Sequence, residues 1–127
     1  MNIISITKTL KNAKMDKKVG IKIVKLTGDE KCGMCVAEIA PGKNVRPHYH
    51  NKGVEIYQIL KGQGVMNLGV MKNKKIVWQK NQKVKQSDCF SISSKQIHQL
   101  TNNSKTKLIL LFVCPDSHLG HDRFFVE

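Results

Sequence analysis

An all-β fold, a sandwich or barrel of short strands, is what this chain of 127 residues predicts. Three observations carry the prediction. Short apolar runs rich in β-branched residues recur roughly every eight to twelve residues. Gly, Pro or Asn turns stand between them. No apolar stripe at helical spacing runs longer than two turns.

The elements follow in order. Ile3-Ile4-Ser5-Ile6 opens the chain as an edge strand or an arm, and Lys11 to Lys18 follows as a polar surface turn. From Gly20 the period is close to two. Ile21 to Leu26 is a strand, Thr27-Gly28-Asp29-Glu30 a turn, and Gly33 to Ala40 a second strand stopped by Pro41-Gly42. Val45 to His50 is a third strand, turned at Asn51-Lys52-Gly53. Val54 to Leu60 is a fourth, ended by Lys61-Gly62-Gln63-Gly64, and Val65 to Val70 a fifth. Lys72 to Lys75 reads as a hairpin tip, Ile76-Val77-Trp78 as a sixth strand, and Asn81 to Ser87 as a polar connection. Cys89 to Ile92, Ile97 to Thr101 and Lys107 to Val113 complete the series, with the last clear turn at Asn102-Asn103-Ser104. The tail from Pro115 to Glu127 has no regular period and is expected to pack over one end. No linker and no internal repeat divides the chain.

Composition narrows the function classes. The length fits one domain with a real core, and 40% hydrophobic residues make the chain globular. The formal charge is +13, and all the basic residues are lysines except Arg46 and Arg123. Lys, Asn and Ile share A/T-rich codons, so genome composition accounts for much of the excess. A nucleic-acid site concentrates arginine and interleaves aromatics; these lysines scatter from Lys8 to Lys107. No nucleic-acid partner is expected, whereas a small anionic substrate would be drawn in by the general field. The apolar run at the N-terminus is too short for a secretory leader and is broken by Lys8. No stretch approaches a membrane span. The expected compartment is the cytoplasm, with Cys32, Cys35, Cys89 and Cys114 reduced. Cys32-Gly33-Met34-Cys35 has CxxC spacing. Its two cysteines would face opposite sides of a strand, so structural thiols are expected rather than a redox or zinc pair.

The chemistry concentrates between Gly42 and Gly62. His48 and His50 lie two apart on a strand and so share a face, with Tyr49 pointing away. After the turn, Glu55 opens the next strand and swings beside them. Glu55, Tyr57 and Ile59 share a face, which places Tyr57 at the same cavity. Two imidazoles and a carboxylate on one rim suit a metal ion, and His98 is the candidate fourth ligand from downstream.

This stretch resembles the first signature of the cupin superfamily. Gly42, His48, His50, Glu55 and Gly62 stand at its glycine, His-x-His, glutamate and closing-glycine positions. His98 and Asn102 match the second signature. Ser87, Ser93 and Lys95 stand where that signature usually has glycine, proline and glycine, so the metal histidine is kept while the turn before it is altered. The resemblance implies a double-stranded β-barrel of the jelly-roll type. It implies one cupin domain over residues 1–127: an N-terminal arm or strand at 1–20, the barrel at 21–113 and a tail at 114–127. It further implies one divalent transition metal (Fe, Mn, Ni, Co, Cu or Zn) held by His48, His50, Glu55 and His98, with open positions for substrate. A homodimer is implied too, with residues 1–10 contributing.

Three functions fit the resemblance. In one, substrate and oxygen bind the metal side by side for dioxygenase-like cleavage. In another, the metal is a Lewis acid for isomerisation, epimerisation or lyase chemistry on a sugar or keto acid. Glu55, Tyr57 or a tail histidine would then move protons. The third is a non-catalytic barrel that binds or senses a small ligand. Family frequency alone puts the oxygenase reading first. The tail residues His118, His121 and Asp122 read as a surface loop in preference to a lid. Arg123 is expected to meet an anionic substrate or Asp122. Arg46 and Gln58 flank the hairpin, Gln96 shares a face with His98, and Met34, Met66, Trp78, Phe90 and Phe112 are expected in the core.

Overall fold

The computed structural model describes residues 1–126. A short helix α1 (Ile6–Lys11) precedes the strands β1 (Met15–Asp16), β2 (Ile21–Gly28), β3 (Gly33–Ile39), β4 (His48–Tyr49), β5 (Glu55–Lys61) and β6 (Gln63–Lys72). Then come β7 (Lys75–Lys85), β8 (Cys89–Ile92), β9 (Ile97–Thr101), β10 (Leu108–Cys114), a 3-10 turn at Asp116–Leu119, and β11 (Phe124–Phe125). They form two antiparallel sheets, β1-β2-β3-β10-β5-β8 and β11-β4-β9-β6-β7. The all-β, double-stranded barrel is therefore the observed fold.

Alternation builds the core. On β10, Leu108, Leu110, Phe112 and Cys114 point inward, and Glu55, Tyr57 and Ile59 do the same on the adjoining β5. Ile21, Ala37 and Ile39 join from β2 and β3, and Met66 and Leu100 face them from the other sheet. Burying each large apolar side chain stabilises the fold by about 1.5–3 kcal/mol. Gly62 closes the β5–β6 turn at φ +91°, and a Cβ there would stand 2.5 Å from the Lys107 carbonyl oxygen, so only glycine fits.

Four expectations change. Ile3 to Ile6, expected as an edge strand or an arm, forms no strand, and Ile6 instead opens the helix Ile6–Lys11: Ser5 caps it by accepting from the Lys8 amide at 3.2 Å, and Leu10 alone of its residues is buried. The expected strand from Val45 shrinks to His48–Tyr49. The Val45 and Arg46 amides bond to Leu100 and Val19 carbonyls instead, and Pro47 has no N–H. The supposed polar connection at 81–87 is largely strand. β7 runs to Lys85, paired along its length with β6, and as an edge strand it leaves its lysines in water. Met34 and Trp78 are 37% and 44% exposed, so they lie outside the core, whereas Met66 and Phe112 are buried in it and Phe90 packs against it.

Candidate metal centre

Each candidate ligand owes its position to strand geometry. His48 lies on β4 opposite His98 of β9. His50 ends the same run, and Glu55 begins β5 after the turn at 51–53. All four side chains are at least 95% buried. The imidazole centroids of His48 and His98 are 4.2 Å apart, those of His48 and His50 5.1 Å, and those of His50 and His98 5.3 Å.

The outward hydrogen bonds fix where each ring keeps its proton. His48 Nδ1 meets the Arg46 carbonyl at 2.8 Å, His50 Nδ1 the Asp122 carbonyl at 2.5 Å, and His98 Nδ1 the Gln96 carbonyl at 3.0 Å. A carbonyl oxygen only accepts, so each Nδ1 carries a hydrogen, and in the neutral ring each Nε2 is a bare lone pair. His50 Nε2 lies 2.5 Å from Glu55 Oε2, and His98 Nε2 3.8 Å from it. These buried atoms have no hydrogen-bond partner. Three inward nitrogens and a carboxylate oxygen crowded in a buried centre need a proton or a cation to offset their repulsion, and a neutral imidazole/carboxylate donor set fits a divalent ion.

The electrostatics agree. Burial, then the neighbouring His98, hold His48 neutral down to about 3. Burial also lowers His98. Without an ion in the site, burial opposes the Glu55 charge, but hydrogen bonds from His118 and then His50 outweigh it and keep the carboxyl well below its ordinary range, so a proton shared with these nitrogens occupies the place a cation would take. Burial, reinforced by Glu55, pushes the Tyr57 phenol well above its ordinary value, so it remains a proton donor. Tyr57 lines the cavity, its ring 6.2 Å from that of His98.

The tail is not a surface loop. His118, in the 3-10 turn, is only 1% exposed, and its Nδ1 lies 3.4 Å from Glu55 Oε2. His50, Glu55 and His118 form a second candidate metal group beside His48, His50 and His98. The Asp122 carboxylate accepts from the Asn51 and Lys52 amides at 2.7 and 3.0 Å. His121 is exposed. Sequence reasoning put His118 in a surface loop because the tail has no period. The available signal was a second histidine-rich segment in a chain with only five histidines. Arg123 pairs with Asp16 at 2.9 Å, not with Asp122, and it and Arg46 both lie over the Phe125 ring. The Gln96 side chain accepts from the Ser93 amide at 3.2 Å rather than entering the cavity. Cys32 is exposed, while Cys35 and Cys114 of β10 are buried free thiols.

The cavity around the centre has apolar walls, including Ile23, Leu110 and Phe112, and room for only about 30 Å³. A wider hollow of about 450 Å³ is lined by Lys83, Lys85 and Asp88 among others, without a histidine or cysteine in its lining.

The double-stranded β-barrel is the fold of cupin-superfamily structures, and here it encloses a buried His/Glu cluster. More particularly, the chain belongs to the family described as polysaccharide biosynthesis C-terminal domain, which it matches over residues 16–122. Among solved structures it is similar to a double-stranded β-helix protein from Klebsiella pneumoniae, at TM-score 0.70 and 16% identity over 100% of this chain and 98% of that one. KdgF from Halomonas sp. superposes at TM-score 0.70 with 11% identity, covering 91% and 94% of the two chains. Oxalate oxidase in complex with glycolate superposes at TM-score 0.63 with 21% identity, covering 82% of this chain and 55% of that one. No curated protein matches the chain in sequence. Among the described residues no helix is long and apolar enough to cross a membrane.

Proposed function

We propose that the chain binds one divalent transition-metal ion through His48, His50, Glu55 and His98, and acts on a small sugar intermediate of polysaccharide biosynthesis by isomerisation, epimerisation or lyase chemistry. One observation carries the metal reading: the bare nitrogens and the carboxylate oxygen that crowd together in a buried centre. The family match supports the sugar, and with it the Lewis-acid reading over the oxygenase-like one. When bound, the ion supplies a Lewis acid that polarises a substrate oxygen.

The chain's own residues supply the rest. Outward hydrogen bonds to main-chain carbonyls orient the three imidazoles. Glu55, ringed by histidines and held ionised, serves better as ligand than as acid. Tyr57, kept as the phenol, is the group we assign to donate a proton to substrate. Apolar walls exclude water and strengthen these interactions. The reading takes residues 1–127 as one domain, which the chain length supports, in the cytoplasm, as expected from the sequence, and working as a homodimer, which the resemblance alone supports.

Elemental analysis tests the core of it. Purified protein is expected to carry close to one metal ion per chain, and His50→Ala to lose it. Equal metal content in the two proteins sinks the assignment. Metal-loaded protein should convert sugars or keto sugars without oxygen. Turnover that consumes oxygen would restore the oxygenase reading.

A further inference from the structure

We infer that His118 is a fifth donor to the ion, so that metal occupancy and the seating of the C-terminal segment over the barrel are one coupled equilibrium. The inference rests on the metal reading above. It begins with the tautomer of this ring. His118 Nε2 lies 2.5 Å from the Lys52 carbonyl oxygen, which only accepts, so Nε2 carries a hydrogen, and in the neutral ring, the form that ligates a metal, Nδ1 is bare. This is the reverse of His48, His50 and His98, which keep the hydrogen on Nδ1, yet the outcome is the same: the bare nitrogen turns inward. There it is buried, has no hydrogen-bond partner, and faces the Glu55 carboxylate at 3.4 Å.

The donor atoms of His50, Glu55 and His118 all lie within 4.8 Å of one another. Donors about 2.0–2.2 Å from one ion fall within that span. The His118 ring stacks on His50 with centroids 4.0 Å apart and planes 4° from parallel, so its direction is held.

The segment that carries His118 is bound to the metal hairpin at several points. Asp122 holds the Asn51 and Lys52 amides through its carboxylate and His50 through its carbonyl. Lys52 in turn fixes the tautomer of His118. β11 pairs with β4, where Phe125 lies opposite His48. Tail and hairpin thus set each other's ligands. The enclosed space of about 30 Å³ is far below the roughly 300–1,000 Å³ of ordinary ligand pockets, so a sugar enters only when this segment gives way.

The test uses the full chain stripped of metal and titrated with Co2+. X-ray absorption of the wild-type Co2+ form should count four imidazoles, and that of His118→Ala three. The variant should bind Co2+ about ten- to a hundredfold more weakly by chelator competition. Added imidazole should restore its visible spectrum, and Co2+ should protect the wild-type tail from protease more than the variant's. Three imidazoles in the wild type would overturn the inference even if the variant fails to fold. So would an unchanged affinity and spectrum in a folded His118→Ala; either result leaves the metal reading standing. A wild type that takes up no Co2+ refutes both together.

Discussion

Asp122 offers a measurable test of how the tail holds the barrel mouth. Its two carboxylate oxygens accept from the Asn51 and Lys52 amides, and the side chain itself is buried. Asp122→Ala removes both acceptors. A buried unsatisfied N–H costs about 1–3 kcal/mol, but Asn51 and Lys52 are exposed, so water replaces part of the loss. The expected destabilisation is about 2 kcal/mol, or roughly 6–12 °C in Tm for a domain of this size. Asp122→Asn keeps one acceptor and turns an amide donor toward the other N–H, so it should fall between the two at about 1 kcal/mol. The pH dependence has a definite sign. Burial works against the charged carboxyl, but the two amides outweigh burial and lower its pKa below the ordinary 3.8. The stabilisation is present above 3.8 and disappears as pH falls through the lower folded-state value. Thermal unfolding followed by circular dichroism, repeated from neutral pH to about pH 2, checks both points. Identical midpoints for the wild type and both variants at neutral pH would refute the idea that the tail is pinned here.

Two further outcomes are expected. In metal-free protein, the His48 ring should stay neutral at pH 5, because burial and His98 depress it to about 3. An unfolded histidine takes up its proton near 6.5, so this group contributes stability above that value and loses it as pH falls below; a nuclear magnetic resonance midpoint near 6.5 in the folded protein would contradict the burial argument. Lys95 adopts φ +64°, a conformation that strains a side chain, so Lys95→Gly should raise stability by about 0.5–1 kcal/mol while Lys95→Ala stays near neutral. A lower Tm for the glycine variant would show that the Lys95 side chain makes a compensating interaction.

The sequence revealed what alternation and spacing encode. Glu55, Tyr57 and Ile59 were legible as one inward face because period two fixes it, and the His48 and His50 pair followed from the same rule. The facing of β4 and β9 was not readable, since strand pairing across such a separation leaves no local trace; only the resemblance linked His98 to the hairpin. β7 was half missed because its polar residues lie on an exposed edge, where pairing to β6 needs no apolar side chain. α1 was missed because a six-residue helix held by one serine cap is too short to display a period. His118 was missed for a third reason: its place depends on Asp122, Lys52 and β11 together, and no one of these contacts is local.

The altered second signature separates two kinds of signature residue. His98 is kept because the chemistry of a bare imidazole nitrogen has no substitute among neighbouring residue types. Asn102 is kept for structure: fully buried, it donates to the Ile39 and Thr106 carbonyls and accepts from Ser104, which pins the last turn. The glycine positions work through backbone angle alone. Ser87 at φ +78° and Lys95 at φ +64° hold left-handed conformations without glycine. The turn survives because hydrogen bonds over-determine it: the Ser87 amide donates to the Ile59 carbonyl at 2.9 Å and the Lys95 amide to the His50 carbonyl at 2.6 Å. The second of these bonds ties the altered turn directly to a candidate ligand. The strain at Lys95 is thus carried by the hairpin that holds the candidate ligands His50 and Glu55.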